Sequence, residues 1–144
     1  MNEAMVISLL LGSLAAMVPI ALTSVSAVIS ERAGVVNIGY EGILMFSAFF
    51  GAIFAELAGN GWVGILGGAF VGLLFGALHG VLTVYLKGDH VIPGIGLNLL
   101  GAGAVAFGIR AYWGTAGQHT VPSDAQISPL WMDALETPSA RWCR

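Results

Sequence analysis

Four hydrophobic runs, separated by short polar or glycine-rich breaks, occupy the first 114 residues of the chain. They cover about residues 4–29, 36–58, 62–86 and 91–113. A helix of about 20 apolar residues crosses a hydrocarbon core about 30 Å thick, so each run is long enough to span a bilayer. The pattern therefore predicts an all-α integral membrane fold with four transmembrane helices.

The pattern changes after Gly114, where polar residues and prolines replace the apolar runs. We interpret residues 1–114 as a transmembrane helical half-domain and residues 115–144 as a polar extracytoplasmic loop. One short amphipathic patch lies within that loop, at residues 129–135. The loop reaches Arg144 without a recognisable terminal element, and we expect it to be truncated.

Composition agrees with a membrane protein. Hydrophobic residues make up 57% of the chain, charged residues only 9%, and the mean hydropathy is +0.87. Soluble domains are usually about 45–50% apolar and about 25% charged. The first run lacks the basic start of a signal peptide, so a retained helix fits it better. The net charge of −3 includes no basic block, which argues against a nucleic-acid polymer as partner.

The side chains give no support to cofactor, metal or enzyme chemistry. Cys143 is the single cysteine, so neither an intrachain disulfide nor a cysteine metal framework can form. His79, His90 and His119 are scattered along the chain, and no serine–histidine pair or pair of carboxylates occurs at a useful spacing. We therefore expect no cofactor, no bound metal and no enzymatic activity.

The few basic residues near the ends of the runs suggest an orientation. Arg32 and Lys87 fall on one side of the membrane, whereas the N-terminus, the turn at Asn60, Arg110 and the polar tail fall on the other. Short loops that carry Lys or Arg are usually cytoplasmic. We expect the Arg32 and Lys87 loops inside the cell, and the N-terminus and tail outside.

Glycine recurs at every fourth position of the third run. Residues four apart share one face of a helix, so these glycines predict a smooth groove that another helix can approach closely. Static helix packing and a sliding surface used in alternating access are both compatible with it. The fourth run is also rich in glycine, which predicts a helix that is either broken or squeezed among its neighbours. The glycines of the third run are Gly64, Gly68, Gly72, Gly76 and Gly80.

A polar segment, residues 31–42, interrupts the apolar runs with Glu31, Arg32, Asn37 and Glu41. Polar groups at membrane depth are costly and usually line a cavity or a path. Irregular backbone survives there only where protein or water covers it. The segment therefore favours transport over simple anchoring. Asn37 and Glu41 lie four residues apart, so on a helix they would share one face and form a polar pair.

Each polar candidate also has a structural explanation. Glu41 can stabilise the positive N-terminus of the second helix or pair with Arg32. Asn98 is either an interhelical hydrogen-bond clip or part of a polar substrate path. His79 is either functional or a neutral histidine bonded to a neighbouring serine or threonine. Glu56 lies near the end of its run, where we expect it to reach the membrane interface.

Two stretches resemble a known family. Residues 30–42 read SERAGVVNIGYEG and resemble the signature SERSGVVNIGLEG of bacterial ABC-importer permeases. The matching subgroup is that for nucleosides or simple sugars, within the branched-chain amino acid and ribose permease family. Residues 91–100 read VIPGIGLNLL and resemble a V-x-G-x-x-L-N-L-L segment of the same family. Carried over by position, the structural signature residues are Glu31, Arg32, Gly34, Gly39 and Gly42, and the candidates for the substrate path are Asn37, Glu41 and Asn98.

The resemblance implies the N-terminal part of a permease subunit in the bacterial inner membrane. ATP would be hydrolysed on separate ATP-binding subunits, and a second permease subunit and an extracytoplasmic substrate-binding lipoprotein would complete the importer. Two departures stand out. Family members are about twice as long as this chain, and the cytoplasmic helix that contacts the ATPase lies in the part that this chain lacks. Pro93 replaces the small or hydroxyl residue expected at its position. We therefore expect that the chain does not transport alone.

A second hypothesis is a small membrane scaffold or assembly subunit with a packing role only, held together by the glycine groove. It predicts a stable oligomer of this chain alone and no effect of Glu41→Gln on any transport.

Overall fold

The computed structural model describes residues 3–115, 117, 119–123 and 125–126. In this part of the chain, four helices are long and apolar enough to cross a membrane. The predicted all-α, four-span fold is confirmed. The helices are α1 (Glu3–Arg32), α2 (Tyr40–Ala58), α3 (Gly61–Gly80) and α4 (Val91–Trp113), and a π-helical turn at Val81–Tyr85 follows α3 directly.

Local chemistry sets most of the helix ends. Gly34 follows α1 with φ +82°, a left-handed conformation that glycine adopts without strain and that commonly ends a helix. The Asn60 Oδ1 accepts the Trp62 N–H at 2.9 Å and caps the start of α3. Asp89 does the same for α4, accepting the Val91 N–H at 2.7 Å. Gly114, with φ +69°, ends α4.

The start of α2 differs from the sequence-based boundary. The apolar run suggested a helix from about residue 36, but α2 begins at Tyr40. Residues 35–38 form irregular backbone between α1 and α2. The segment is apolar enough to continue a helix, yet its polar groups bond to side chains elsewhere in the fold.

The chain divides into two compact units. Unit 1 comprises residues 1–43 and 75–102, and unit 2 comprises residues 44–74 and 103–144. Within unit 1, α1 exposes apolar side chains along its length; Leu22, for example, is 68% exposed. Apolar surface of this extent suits contact with lipid or with other membrane helices.

Packing in unit 2 uses the first three glycines of the groove. A Cβ on Gly64 would lie 2.7 Å from the Ala55 Cβ and 2.8 Å from the Gly51 carbonyl oxygen. Gly68 and Gly72 both face Ser47. A Cβ on Gly68 would lie 2.9 Å from the Ser47 carbonyl oxygen, and a Cβ on Gly72 would lie 2.8 Å from the Ser47 Oγ. These three glycines pack α3 against α2, while a sliding role for the groove stays a prediction.

The remaining two glycines of the groove belong to unit 1. A Cβ on Gly76 or Gly80 would meet no atom within 4 Å. The fourth helix is squeezed and not broken, since α4 is continuous from Val91 to Trp113.

Candidate functional site

In unit 1, the polar segment lies directly on the first turns of α4, backbone against backbone. Gly39, Gly42, Gly94 and Gly101 are all buried at this contact. A Cβ on Gly42 would lie 2.5 Å from the Leu97 carbonyl carbon, and one on Gly101 would lie 2.7 Å from the Gly42 Cα. Real Cβ atoms essentially never come this close, so glycine is required for the approach.

Asn98 fastens this contact with both ends of its amide. Its Oδ1 accepts the Gly42 N–H at 2.8 Å, and its Nδ2 donates to the Ile38 carbonyl oxygen at 3.0 Å. The first N–H groups of a helix have no partner inside that helix. Asn98 thus caps the N-terminus of α2 from another helix, which is the interhelical clip considered above. A role in the substrate path stays a prediction.

Asn37 lies outside α2 and makes a local turn. Its Oδ1 accepts the Gly39 N–H at 2.7 Å, as asparagine commonly does two residues ahead in a turn. The expectation that Asn37 and Glu41 share one helix face is therefore wrong, because the helix begins at Tyr40, after Asn37. Asn37 is half-buried, so the turn does not remove it from solvent entirely.

Glu41 and its charged neighbours take part in no ion pair that the described residues contain. Glu41 lies in the first turn of α2, where the helix dipole favours a carboxylate, and its residue is exposed. Glu31 and Arg32 are exposed at the end of α1. An ion pair between Glu41 and Arg32 was one structural explanation for Glu41, and the described residues do not form it. Asn37, Glu41 and Asn98 all stay candidates for the path.

Sequence reasoning missed His90, which holds the other end of the polar segment. The Val36 N–H donates to the His90 Nδ1 at 3.1 Å. Val36 and His90 are 54 residues apart, and nothing in the local pattern indicates that they meet. The irregular backbone between α1 and α2 is thus bonded at both ends to residues just before and within α4.

His79 lacks the partner predicted for it. Its residue is only 1% exposed, and neither ring nitrogen makes a hydrogen bond within the described structure. A serine or threonine partner is one of the two explanations given above, and Thr83 does lie one turn along. Its hydroxyl instead donates to the main-chain carbonyl of His79 at 2.9 Å. Leaving a buried polar group unsatisfied costs about 1–3 kcal/mol.

Unit 2 contains a second polar cluster that sequence reasoning missed. The Glu56 carboxylate accepts the Trp113 Nε1–H at 2.7 Å through Oε2 and lies 2.5 Å from the His119 Nε2 through Oε1. The Trp113 and His119 rings stack at 4.4 Å with an interplanar angle of 16°. Glu56, expected at the interface without a specific partner, instead fastens the segment after α4 to the end of α2.

This cluster borders a cavity of about 290 Å³ within unit 2. Phe49 meets the Trp113 ring edge-on at 5.6 Å, and both line the cavity together with His119. The walls are otherwise apolar. Among the described residues, no three histidine, cysteine or acidic side chains come together as a metal site.

Comparison with known proteins places the chain in a family. Residues 9–136 match the family described as the permease component of branched-chain amino acid transport systems. The chain belongs to this permease family. The sequence resemblance at the polar segment and at residues 91–100 is thereby confirmed at the level of the family.

Three relatives show the subgroup that this permease resembles. It is 30% identical over 110 residues to the guanosine ABC transporter permease protein of Bacillus subtilis, covering 72% of this chain and 34% of that protein. It is 36% identical over 101 residues to the nucleoside ABC transporter permease protein of Lactococcus lactis, covering 66% of this chain and 32% of that protein. It is 37% identical over 86 residues to the putative glucose ABC transporter permease protein of Haloferax volcanii, covering 60% of this chain and 26% of that protein.

The matched part of the chain therefore spans between about a quarter and a third of the length of these relatives. No solved structure matches the chain.

Proposed function

We propose that this chain forms the N-terminal membrane-spanning part of a permease subunit of an ABC importer, and that the importer carries nucleosides or simple sugars. The family match and the names of the relatives, which mention guanosine, nucleosides and glucose, support this substrate class. The structural observation that carries the proposal is the irregular polar segment fastened to α4 by Asn98.

That arrangement suits a transport path for a physical reason. Irregular backbone at membrane depth needs cover from protein or water. The buried glycines Gly39 and Gly42 cover one side of the segment with the backbone of α4. Asn37 is half-buried and Glu41 is exposed, so in this proposal each of them is open to water and to solute hydroxyl groups. Both residues offer oxygen acceptors, and the Asn37 amide also has donors.

Asn98 also suits a segment that has to move. Interhelical hydrogen bonds in membranes are worth only about 0.6–2 kcal/mol each. Two such bonds can hold the polar segment in one state and yet break when partner subunits drive a change of conformation. In this proposal the partners are ATP-binding subunits, a second permease subunit and an extracytoplasmic substrate-binding lipoprotein, and the assembly lies in the bacterial inner membrane.

Uptake in the source organism tests the proposal. The gene for this chain would be deleted, and uptake of labelled guanosine, glucose and leucine would be measured. We expect uptake of a nucleoside or a sugar to fall and to return when the gene is restored. Unchanged uptake of every nucleoside and sugar tested, or loss of leucine uptake alone, would contradict the proposal. A scaffold role predicts no change for any solute.

A further inference from the structure

The hydrogen bond between the polar segment and His90 depends on the protonation state of the imidazole. The Val36 N–H donates to the His90 Nδ1 across 3.1 Å. A ring nitrogen accepts an N–H only through its lone pair, so Nδ1 must carry no proton. In the imidazolium both ring nitrogens are donors. The bond therefore forms with neutral His90 and is lost when His90 is protonated.

The Val36 N–H relies on a side chain because it lies outside any helix, in the irregular backbone of residues 35–38. The preceding residue is bonded differently. The Val35 N–H donates to the Ser30 carbonyl oxygen at 3.0 Å, and the Val35 carbonyl accepts the Ser30 hydroxyl at 2.8 Å. These bonds join residue 35 to the end of α1, whereas residue 36 is joined to the loop before α4 by His90.

The loop that carries His90 is itself held on both sides. The Asp89 Oδ1 accepts the Val91 N–H at 2.7 Å and so fastens the loop to the start of α4. The Gly88 N–H donates to the Leu82 carbonyl oxygen at 3.2 Å and fastens it to the π-helical turn. Neither bond involves the imidazole. Loss of the bond to His90 should therefore release the polar segment and leave the loop in place.

The charged groups around His90 offer its protonated form no ion pair among the described residues. His79, on α3, is an electrostatic neighbour of His90 and would repel it if both rings were charged. Asp89 precedes His90, but its Oδ1 already accepts the Val91 N–H. Residues 91–102 of α4 contain no titratable side chain. The other titratable side chains at the adjoining ends of α1 and α2, in the π-helical turn and in the loop are Glu31, Arg32, Tyr40, Glu41, Tyr85 and Lys87.

We propose that His90 is a positioning residue controlled by its own protonation: the neutral imidazole holds the polar segment at Val36, and protonation releases it. Histidine is the side chain whose charge ordinarily changes between about pH 5 and pH 8. Lowering the pH adds the proton, so the bond is present at the higher pH and is lost as the pH falls. The segment is then held at its other end, by Asn98. This inference goes beyond the proposed function and needs no particular solute.

A spin label on the polar segment tests the inference without relying on transport. Val36→Cys in a Cys143→Ser background gives one labelling site, at a side chain that is 45% exposed, and keeps the backbone N–H. The full chain would be placed in lipid bilayers, and the mobility of the nitroxide would be followed from about pH 8 to about pH 5. We expect the ratio of mobile to immobile label to rise by about two- to tenfold, the effect of one lost neutral hydrogen bond.

His90→Asn is the matched control, because an asparagine Oδ1 can accept the N–H in place of Nδ1 and does not titrate. With this variant the label should stay immobile over the whole pH range. His90→Leu removes the acceptor, and the label should be mobile at every pH. A label at Leu99→Cys, on α4 and 71% exposed in the wild type, should show no change with pH.

Two results would overturn the inference. The first is a label at position 36 whose mobility does not depend on pH when His90 is present. The second is a pH response that persists in His90→Asn, which would assign the titration to another group such as His79 or Asp89. Neither result bears on the proposed function, which the uptake experiment tests separately.

Discussion

Among single residues, Asn98 makes two hydrogen bonds that join the polar segment to α4. Replacing it by leucine keeps a side chain of similar size but leaves the Gly42 N–H and the Ile38 carbonyl without their partner. We expect Asn98→Leu to lower the free energy of unfolding in detergent by about 1–3 kcal/mol. Leu99→Ala is the matched control, because Leu99 is 71% exposed and should change the value little. Equal stability of Asn98→Leu and wild type would show that the two Asn98 hydrogen bonds do not stabilise the fold.

Trp113 offers a second single-residue test, in unit 2. Trp113→Phe keeps an aromatic ring for stacking on His119 but removes the Nε1–H that Glu56 accepts. Since hydrogen bonds to carboxylates are worth about 1.5–3 kcal/mol, unfolding should be easier by about that amount. Trp62→Phe, at a residue that is 62% exposed, is the control for the change in ring size. If both variants unfold at the same denaturant concentration, the Glu56 bond contributes no stability.

The contacts found only in the structure share one property: the two partners are far apart in sequence. Asn98 bonds to residues 56 and 60 positions away, and Glu56 bonds to residues 57 and 63 positions away. Local patterns cannot show such pairs. The sequence did single out Asn98, because an asparagine within an apolar run is conspicuous. It gave no such signal for His90, which lies in a polar loop where histidine is ordinary.

Among the helices, the close approach of α2 and α4 in unit 1 depends on glycine at particular positions. Gly42→Ala would place a Cβ 2.5 Å from the Leu97 carbonyl carbon and 2.9 Å from the Asn98 Cα, so the backbones would have to separate. Overpacking of this kind typically costs about 1–3 kcal/mol. We expect Gly42→Ala to reduce both folded yield in membranes and uptake.

Gly96→Ala is the matched control for Gly42→Ala. Gly96 is half-buried and lies in α4, but an added Cβ there would meet no atom within 4 Å. It should be neutral or slightly stabilising, because alanine favours a helix more than glycine does. Comparable losses for the two alanine variants would show that helix propensity, and not the contact, sets the effect.

The sequence predicts that the four helices exist more reliably than it predicts where each of them ends. Long apolar runs are visible in the sequence. The helices α1 and α4, and α3 together with the π-helical turn after it, begin and end close to the ends of the predicted runs. The start of α2 could not be predicted, because its cap comes from Asn98 on another helix. The π-helical turn after α3 likewise leaves no mark in an evenly apolar run.

For the molecule as a whole, the orientation in the membrane follows from Arg32 and Lys87 and stays a prediction. Alkaline phosphatase, which is active only outside the cytoplasm, would be fused after Asn60 and after Lys87. We expect an active fusion after Asn60 and an inactive one after Lys87. The opposite pair of activities would reverse the orientation and would place the polar segment at the outer surface.

The central claim is that the polar segment borders an aqueous path. Its most direct test is cysteine labelling of Asn37→Cys and Glu41→Cys with a membrane-impermeant maleimide, in a Cys143→Ser background. Leu97→Cys, at a residue that is 4% exposed, is the shielded control. We expect positions 37 and 41 both to react, in inside-out or right-side-out vesicles, while position 97 does not. Shielding of both positions to the same degree as position 97 would contradict it.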